Sequence, residues 1–143
     1  MRVGCVMRKP TPMASIHKNF AIDAHPDVVW DAVRDFGAVH QRLNPGFVGD
    51  CRLEGTVRIL TFHNGVVARE ELVDCDDTRR RLVYAIIGGE RVRHYNGAVQ
   101  VLENGDGQTR MTWIVDVLPN EIASYISSQM DIAIAAMQKT LGR

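Results

Sequence analysis

A chain of 143 residues holds one domain with a real core and is short for two. Lysine plus arginine equals aspartate plus glutamate at 17 each, which leaves no net charge to draw the protein to nucleic acid or an anionic membrane surface. The three cysteines, Cys5, Cys51 and Cys75, lack metal-site spacing and are odd in number, so they read as ordinary thiols of a reducing compartment. No apolar run approaches the ~18 residues that span a bilayer. The start, MRVGCVMRKPTPMAS, is basic but lacks the apolar stretch of a secretion signal. The expectation is a neutral, soluble, cytoplasmic chain without integral membrane association.

Residues 1–13 read as a disordered extension, with Met13 an alternative start, and 14–143 as a single domain. Ser15 to Ile22 alternates Ile16, Lys18, Phe20 and Ile22 against His17, Asn19 and Ala21, the period-two pattern of a half-buried strand. His25-Pro26-Asp27 opens a helix, with proline tolerated in the first turn and aspartate suited to the positive end of the dipole. Val29, Trp30, Val33 and Phe36 share its stripe, and Gly37 is placed to stop it. A further short helical turn is predicted over Ala38 to Leu43, and Asn44-Pro45-Gly46 is turn chemistry.

From Phe47 to Val117 the pattern is strand after strand. Asn64-Gly65, between VRILTFH and VVAREELV, is the strongest hairpin signal. Arg80 to Ile87 follows; Gly88-Gly89 then turns into a strand over Arg91 to Leu102, and Asn104-Gly105-Asp106-Gly107 leads to Thr109 to Val117. The connections are short and contain no helix pattern, which predicts an antiparallel meander. Pro119 to Arg143 then carries helical spacing at Ile122, Ile126, Met130, Ala133, Met137 and Leu141, with Tyr125 and Ile134 alongside. Asn120 can cap this helix, Glu121 and Lys139 complement its dipole, and Gly142 can end it. The fold class is α+β, a helix-grip fold. A curved antiparallel sheet of about seven strands surrounds a long C-terminal helix, with one or two short helices after the first strand. Such an arrangement often encloses a cavity between sheet and helix.

Several short patterns resemble one superfamily. They are AHPDVVWDAVRDF (Ala24 to Phe36), GTVR (Gly55 to Arg58), EELVDCDD (Glu70 to Asp77), YAIIGGERVRHY (Tyr84 to Tyr95), Thr109 to Trp113 and Leu118-Pro119. In this order they are similar to the START and Bet v 1-like (SRPBCC) superfamily, in particular its polyketide cyclase/dehydrase-like branch. The resemblance covers roughly Ala14 to Leu141. IIGGE followed by a tyrosine also resembles the plant abscisic-acid receptors of that superfamily. Their proline-containing gate loop has no counterpart at His63-Asn64-Gly65-Val66. The span from Glu90 to Tyr95 is one residue shorter than their latch, and their ligand-binding lysine falls near the uncharged Gly49. The fold carries over, and hormone specificity does not.

The resemblance implies that Arg58, Glu70, Tyr84, Ile86, Tyr95 and Gly97 face a cavity. Leu60, Phe62, Val99, Trp113, Met130, Ile134 and Met137 are the expected apolar wall. Arg58 and Glu70 inside such a pocket are costly unless paired or hydrated, so they are either a polar anchor for a ligand or a structural ion pair. Tyr84 and Tyr95 can orient a carbonyl or hydroxyl, or simply fill the core. Trp113 and Asp116 lie on opposite faces of the last strand; the apolar phase Met111, Trp113, Val115, Val117 favours Trp113 inside, while the resemblance of Leu118-Pro119 to the receptor relatives implies Thr112, Ile114 and Asp116 instead. Trp30 is expected in the core, and His94 is expected to face away from Tyr95's side of the sheet. His63 beside Asn64-Gly65 is near the expected mouth, and His17, His25 and His40 have no partner pattern. Arg79-Arg80-Arg81 reads as a solvated hairpin end. HExxH, CxxC, a phosphate loop and a nucleophile elbow are all lacking, so no metal and no cofactor is expected.

The leading expectation is binding of a small hydrophobic or amphipathic molecule: a lipid, polyketide or aromatic metabolite. Here Arg58, Glu70 and Tyr95 would hold its polar end. The alternatives are a cyclase, dehydratase or isomerase and a small protein-interaction module whose cavity is collapsed. The enzyme would act on a polyketide-like carbonyl, with Glu70 or Asp116 as base and Tyr95 or Arg58 stabilising the oxyanion. Exposed edge strands allow a homodimer. In the final helix, the ends near Ile122 and Leu141 are expected to pack tightly, and Met130 to Met137 to roof the pocket.

Overall fold

The computed structural model describes residues 12–89 and 91–142. The expected extension lies outside these residues up to residue 11, as does Glu90 of the GGE turn. The strands are β1 (Ala14–Ile22), β2 (Val48–Glu54), β3 (Val57–Phe62), β4 (Val67–Asp76), β5 (Arg81–Ile87), β6 (His94–Glu103) and β7 (Thr109–Leu118). Two helices, α1 (Pro26–Arg34) and α2 (Val39–Arg42), lie between β1 and β2, and α3 (Ala123–Leu141) closes the chain. All seven strands form one antiparallel sheet in the order β1-β7-β6-β5-β4-β3-β2. No helix among the described residues is long and apolar enough to cross a membrane.

Alternation sets the inner face. Phe20 and Ile22 of β1, Val99 and Val101 of β6, and Met111, Trp113, Val115 and Val117 of β7 are buried on it. Register shifts at Val48/Asp50 in β2 and Leu72/Asp74 in β4 mark bulges, which bend the strands and help the sheet curl around α3. The bulge in β4 leaves Val73 exposed.

Helix α1 begins where the sequence placed it: His25 Nδ1 accepts from the Asp27 N–H at 3.1 Å, and Pro26 occupies the first turn. Its end is earlier than expected. Arg34 is its last residue, and Phe36–Ala38 form a separate 3-10 turn, so Phe36 turns off the helical stripe. Gly37 has a steric role there, since a Cβ on it would meet Leu53 Cδ1 at 2.7 Å. Trp30 is buried and donates from Nε1 to Asp77 Oδ1 at 2.9 Å, where Arg34 also binds, tying α1 to the β4–β5 turn. Arg80 in that turn pairs with Asp27 and Arg79 with Asp76.

Three further expectations shift. The β3–β4 connection is wider than a two-residue hairpin: the Phe62 N–H donates to Val66 O, the Gly65 N–H returns to Phe62 O, and Asn64 Oδ1 accepts from the Val66 N–H. β6 begins at His94 rather than Arg91, with Arg93 still tied to Leu118 O. A 3-10 turn at Asn120–Ile122 precedes α3, so Ile122, not Asn120, takes the N-cap position and no side chain caps it.

Helix α3 is anchored along β1. Lys18 Nζ, pointing in from β1, reaches Ser127 Oγ at 2.8 Å and Asp131 Oδ1 at 2.9 Å, and Gln138 Nε2 donates to Ala21 O at 3.0 Å. Met130, Ala133 and Met137 are its buried positions.

Candidate functional site

Between the sheet, α2 and α3 lies a cavity of about 800 Å³. Leu82, Val99, Val33, Val39 and Leu43 line its inner part. Its rim is shared by three segments: Asn64, Val66 and Val67 of the β3–β4 connection, Gly88, Gly89, Arg91 and Val92 of the β5–β6 connection, and Ile122, Tyr125 and Gln129 near the start of α3. Asn64 Nδ2 touches Tyr125 Oη at 3.4 Å, linking two of these segments.

Most of the expected residues come together here. Arg58, Leu60, Phe62, Glu70, Tyr84, Ile86, Tyr95, Val99, Trp113, Met130 and Met137 all line the cavity. Ile134 and Gly97 are not among its lining residues. The reason is clear for Gly97: it stands opposite Tyr84 in the sheet, and a Cβ on it would meet Tyr84 Cζ at 2.4 Å. The missing side chain makes room for the Tyr84 ring, which covers the glycine. Asp116 is corrected as a candidate base. It pairs with Ser15 and Asn96 on the outer face of the sheet, while Trp113 is the one inside. His94 is exposed, on the face opposite Tyr95.

The polar heart of the cavity is a buried pair. Arg58 and Glu70 face each other across β3 and β4, their side chains 8% and 7% exposed. Arg58 donates from Nε at 2.9 Å and Nη2 at 2.8 Å to Glu70 Oε1, and from Nη1 to the Phe36 carbonyl at 3.2 Å. Its guanidinium lies 4.0 Å from the centre of the Phe36 ring and 5.4 Å from that of Tyr84. The pair is thus neutral as a unit, oriented by the 3-10 turn, and flanked by aromatic faces. It meets the requirement that a buried charge be paired and hydrogen-bonded.

Beside it, Trp113 Nε1 donates to Tyr84 Oη at 3.1 Å, and the Tyr84 and Tyr95 rings sit 6.1 Å apart. Burial, aided by the Glu70 carboxylate, pushes the Tyr84 phenol well above its ordinary range. Burial likewise raises Tyr95, with Tyr84 and Glu70 adding to the effect. Both phenols stay protonated near neutral pH; their hydroxyls bond each other, which leaves one of the two protons to donate to a carbonyl or hydroxyl. Arg58 holds Glu70 Oε1 by two contacts, so this carboxylate oxygen is turned to the guanidinium rather than to the open cavity. Among the described residues, no group of three or more His, Cys, Asp or Glu side chains is placed to hold a metal ion.

Several lining residues escaped the sequence reading, among them Val33, Val39, Leu43 and Leu82 of the inner wall. Asn44 is 5% exposed and lines the cavity, although its place in Asn44-Pro45-Gly46 signals only a turn. The start of α3 also lines it: Ile122 and Ile126 face the cavity and are half-buried, where tight packing was expected near Ile122.

Residues 13–142 match the family described as polyketide cyclase/dehydrase and lipid transport. A search of curated proteins found no sequence match. Among solved structures, an uncharacterised protein of Bacillus thuringiensis superposes with a TM-score of 0.81 at 20% identity, covering 90% of this chain and 98% of that one. XoxI of Bacillus cereus gives 0.79 at 22% identity, with 90% and 95% covered. Norcoclaurine synthase of Thalictrum flavum, in complex with dopamine and hydroxybenzaldehyde, gives 0.69 at 18%, with 89% and 85% covered. At these identities the likeness is one of fold, the helix-grip architecture of Bet v 1-like proteins.

Proposed function

The chain belongs to the polyketide cyclase/dehydrase and lipid transport family, and we propose that it binds a small hydrophobic or amphipathic molecule in the cavity between sheet and α3. The observation that carries this reading is the cavity itself. About 800 Å³ of mostly apolar lining is ample for a small metabolite, and it contains a compact polar cluster around Arg58 and Glu70. A fold that needed only a stable core would fill this space, since an empty volume forfeits contacts on every wall. In this reading Leu60, Phe62, Val99, Met130 and Met137 hold the apolar body. Tyr84, Tyr95 and the outer side of the Arg58–Glu70 pair orient an oxygen of the ligand. A lipid, a polyketide or an aromatic metabolite fits this chemistry. The complex of norcoclaurine synthase with dopamine and hydroxybenzaldehyde illustrates that this architecture can hold aromatic phenols.

An enzyme of the cyclase, dehydratase or isomerase kind needs a base beside the polar cluster. Glu70 is occupied by Arg58 and Asp116 lies outside, so the arrangement favours holding over proton abstraction. An interaction module with a collapsed interior is at odds with the open cavity.

Native mass spectrometry of protein purified from its own host tests the binding reading. A discrete small-molecule adduct, released on denaturation, is the expected result. A bare polypeptide mass that no apolar metabolite extract shifts would overturn it.

A further inference from the structure

We propose that the second oxygen of Glu70, Oε2, selects the polar end of the ligand: it takes the proton of a neutral hydroxyl, phenolic or alcoholic, and turns carboxylates away. The inference rests on the ligand-binding reading above and narrows it from any oxygen function to one that donates.

The two oxygens of Glu70 have different surroundings. Oε1 takes the contacts from Arg58 Nε and Nη2. Oε2 accepts no hydrogen bond from any described residue. It is nevertheless not sealed. Among the described residues, the side-chain atoms that are both unpartnered and shut off from solvent are His40 Nδ1 and Asn44 Oδ1, and Oε2 is not one of them. Glu70 points inward from β4 and lines the cavity with only 7% of its side chain exposed, so the surface that Oε2 keeps opens into the cavity. A carboxylate oxygen removed from bulk water and lacking a donor is costly, and a ligand proton offsets that cost.

The charge of the pair decides which proton fits. Arg58 is enclosed: Nη1 donates to the Phe36 carbonyl, and the Phe36 ring lies 4.0 Å from the guanidinium. With Arg58 and Glu70 neutral as a unit, a charged ligand group would enter the cavity without a counter-charge. A carboxylate would in addition set acceptor against acceptor at Oε2. A ketone or an ether has no proton to give. A hydroxyl donates to Oε2 and still accepts, which suits the tyrosines beside it. Glu70 lies close enough to the Tyr84 and Tyr95 phenols to oppose the loss of their protons, and one of those protons is left for a ligand oxygen.

The test uses three probes of one skeleton at neutral pH. They are para-phenylphenol, its methyl ether, whose oxygen accepts but donates nothing, and the corresponding biphenyl carboxylate. Each is titrated calorimetrically into the intact chain, Glu70→Gln, and the double variant Arg58→Met with Glu70→Leu, with folding checked by circular dichroism. The intact chain is expected to bind the phenol at least about tenfold more tightly than the ether, the effect of one hydrogen bond to an ion-paired acceptor, and the carboxylate most weakly. In Glu70→Gln, Arg58 claims the amide oxygen and leaves the amide N–H groups to the cavity, so the phenol should lose its advantage and the carboxylate should gain. The double variant presents no oxygen at all and should show no preference for the phenol, which keeps the test independent of how well Glu70→Gln folds. A phenol preference that survives in the double variant overturns the inference, since the bulk of the methyl group would then explain it. Equal binding of phenol and ether by the intact chain overturns it too. So does tightest binding of the carboxylate, which would make Arg58 an anion anchor. If none of the three binds the intact chain, the binding reading itself fails and the inference falls with it.

Discussion

Arg58 and Glu70 are directly opposite each other on adjacent strands, and nearly all of both side chains is out of water. The family resemblance set both toward a cavity, where an ion pair was one of two expectations; the third partner, the Phe36 carbonyl, was not legible, because it comes from a turn read as part of a helix. The pair predicts an asymmetric response to substitution. Glu70→Gln leaves a buried guanidinium without a counter-charge and should cost about 3 kcal/mol or more in urea unfolding. Replacing both together, Arg58→Met with Glu70→Leu, should recover most of that loss, since an apolar pair needs no desolvation to be repaid. Equal losses in the single and double variants would mean that the ion pair itself, rather than its completeness, stabilises the fold. Asn44 shows the opposite limit of a sequence reading. Its turn context accounts for the residue so fully that nothing signals a buried side-chain oxygen without a partner among the described residues.

Among the elements, α3 was the plainest feature of the sequence, because its apolar spacing of three and four persists through the whole segment. Its division of labour was not plain. Periodicity reports which side of a helix is buried, not what it is buried against, and the expected split between tight ends and a roofing middle is only partly what the fold contains. Met130 and Met137 do line the cavity, but so does the first stretch from Ile122 to Ile126. The helix is held to β1 through Lys18, Ser127, Asp131 and Gln138. Magnitudes separate these contacts. Asp131 is largely exposed, so Asp131→Asn should change stability by less than about 1 kcal/mol. Met137→Ala removes a buried side chain and should cost about 2–3 kcal/mol, near the low end for such changes because the site already borders open space. Chemical denaturation of the two variants compares them directly, and a larger loss in Asp131→Asn would show the helix to be held by its charges.

Taken whole, the molecule is a curled sheet that meets its last helix along one edge and stands away from it elsewhere, and the cavity is the space so left. The order of strands and helices was readable because turn signals separate the strands from β2 to β7 and no helix intervenes among them. Sheet curvature was less readable. It depends on bulges at Val48/Asp50, where a lone Gly49 is the only sign, and at Leu72/Asp74, where no glycine marks the shift. The central claim is that the cavity is a receptive site rather than a packing defect. Titration with the apolar fluorophore N-phenyl-1-naphthylamine tests it most directly, with the intact chain compared to Val99→Trp, a substitution that fills the cavity from β6. With folding confirmed by circular dichroism, the account predicts saturable binding of one fluorophore per chain and its loss in Val99→Trp. Absence of binding to the intact chain, or undiminished binding to the filled variant, would contradict it.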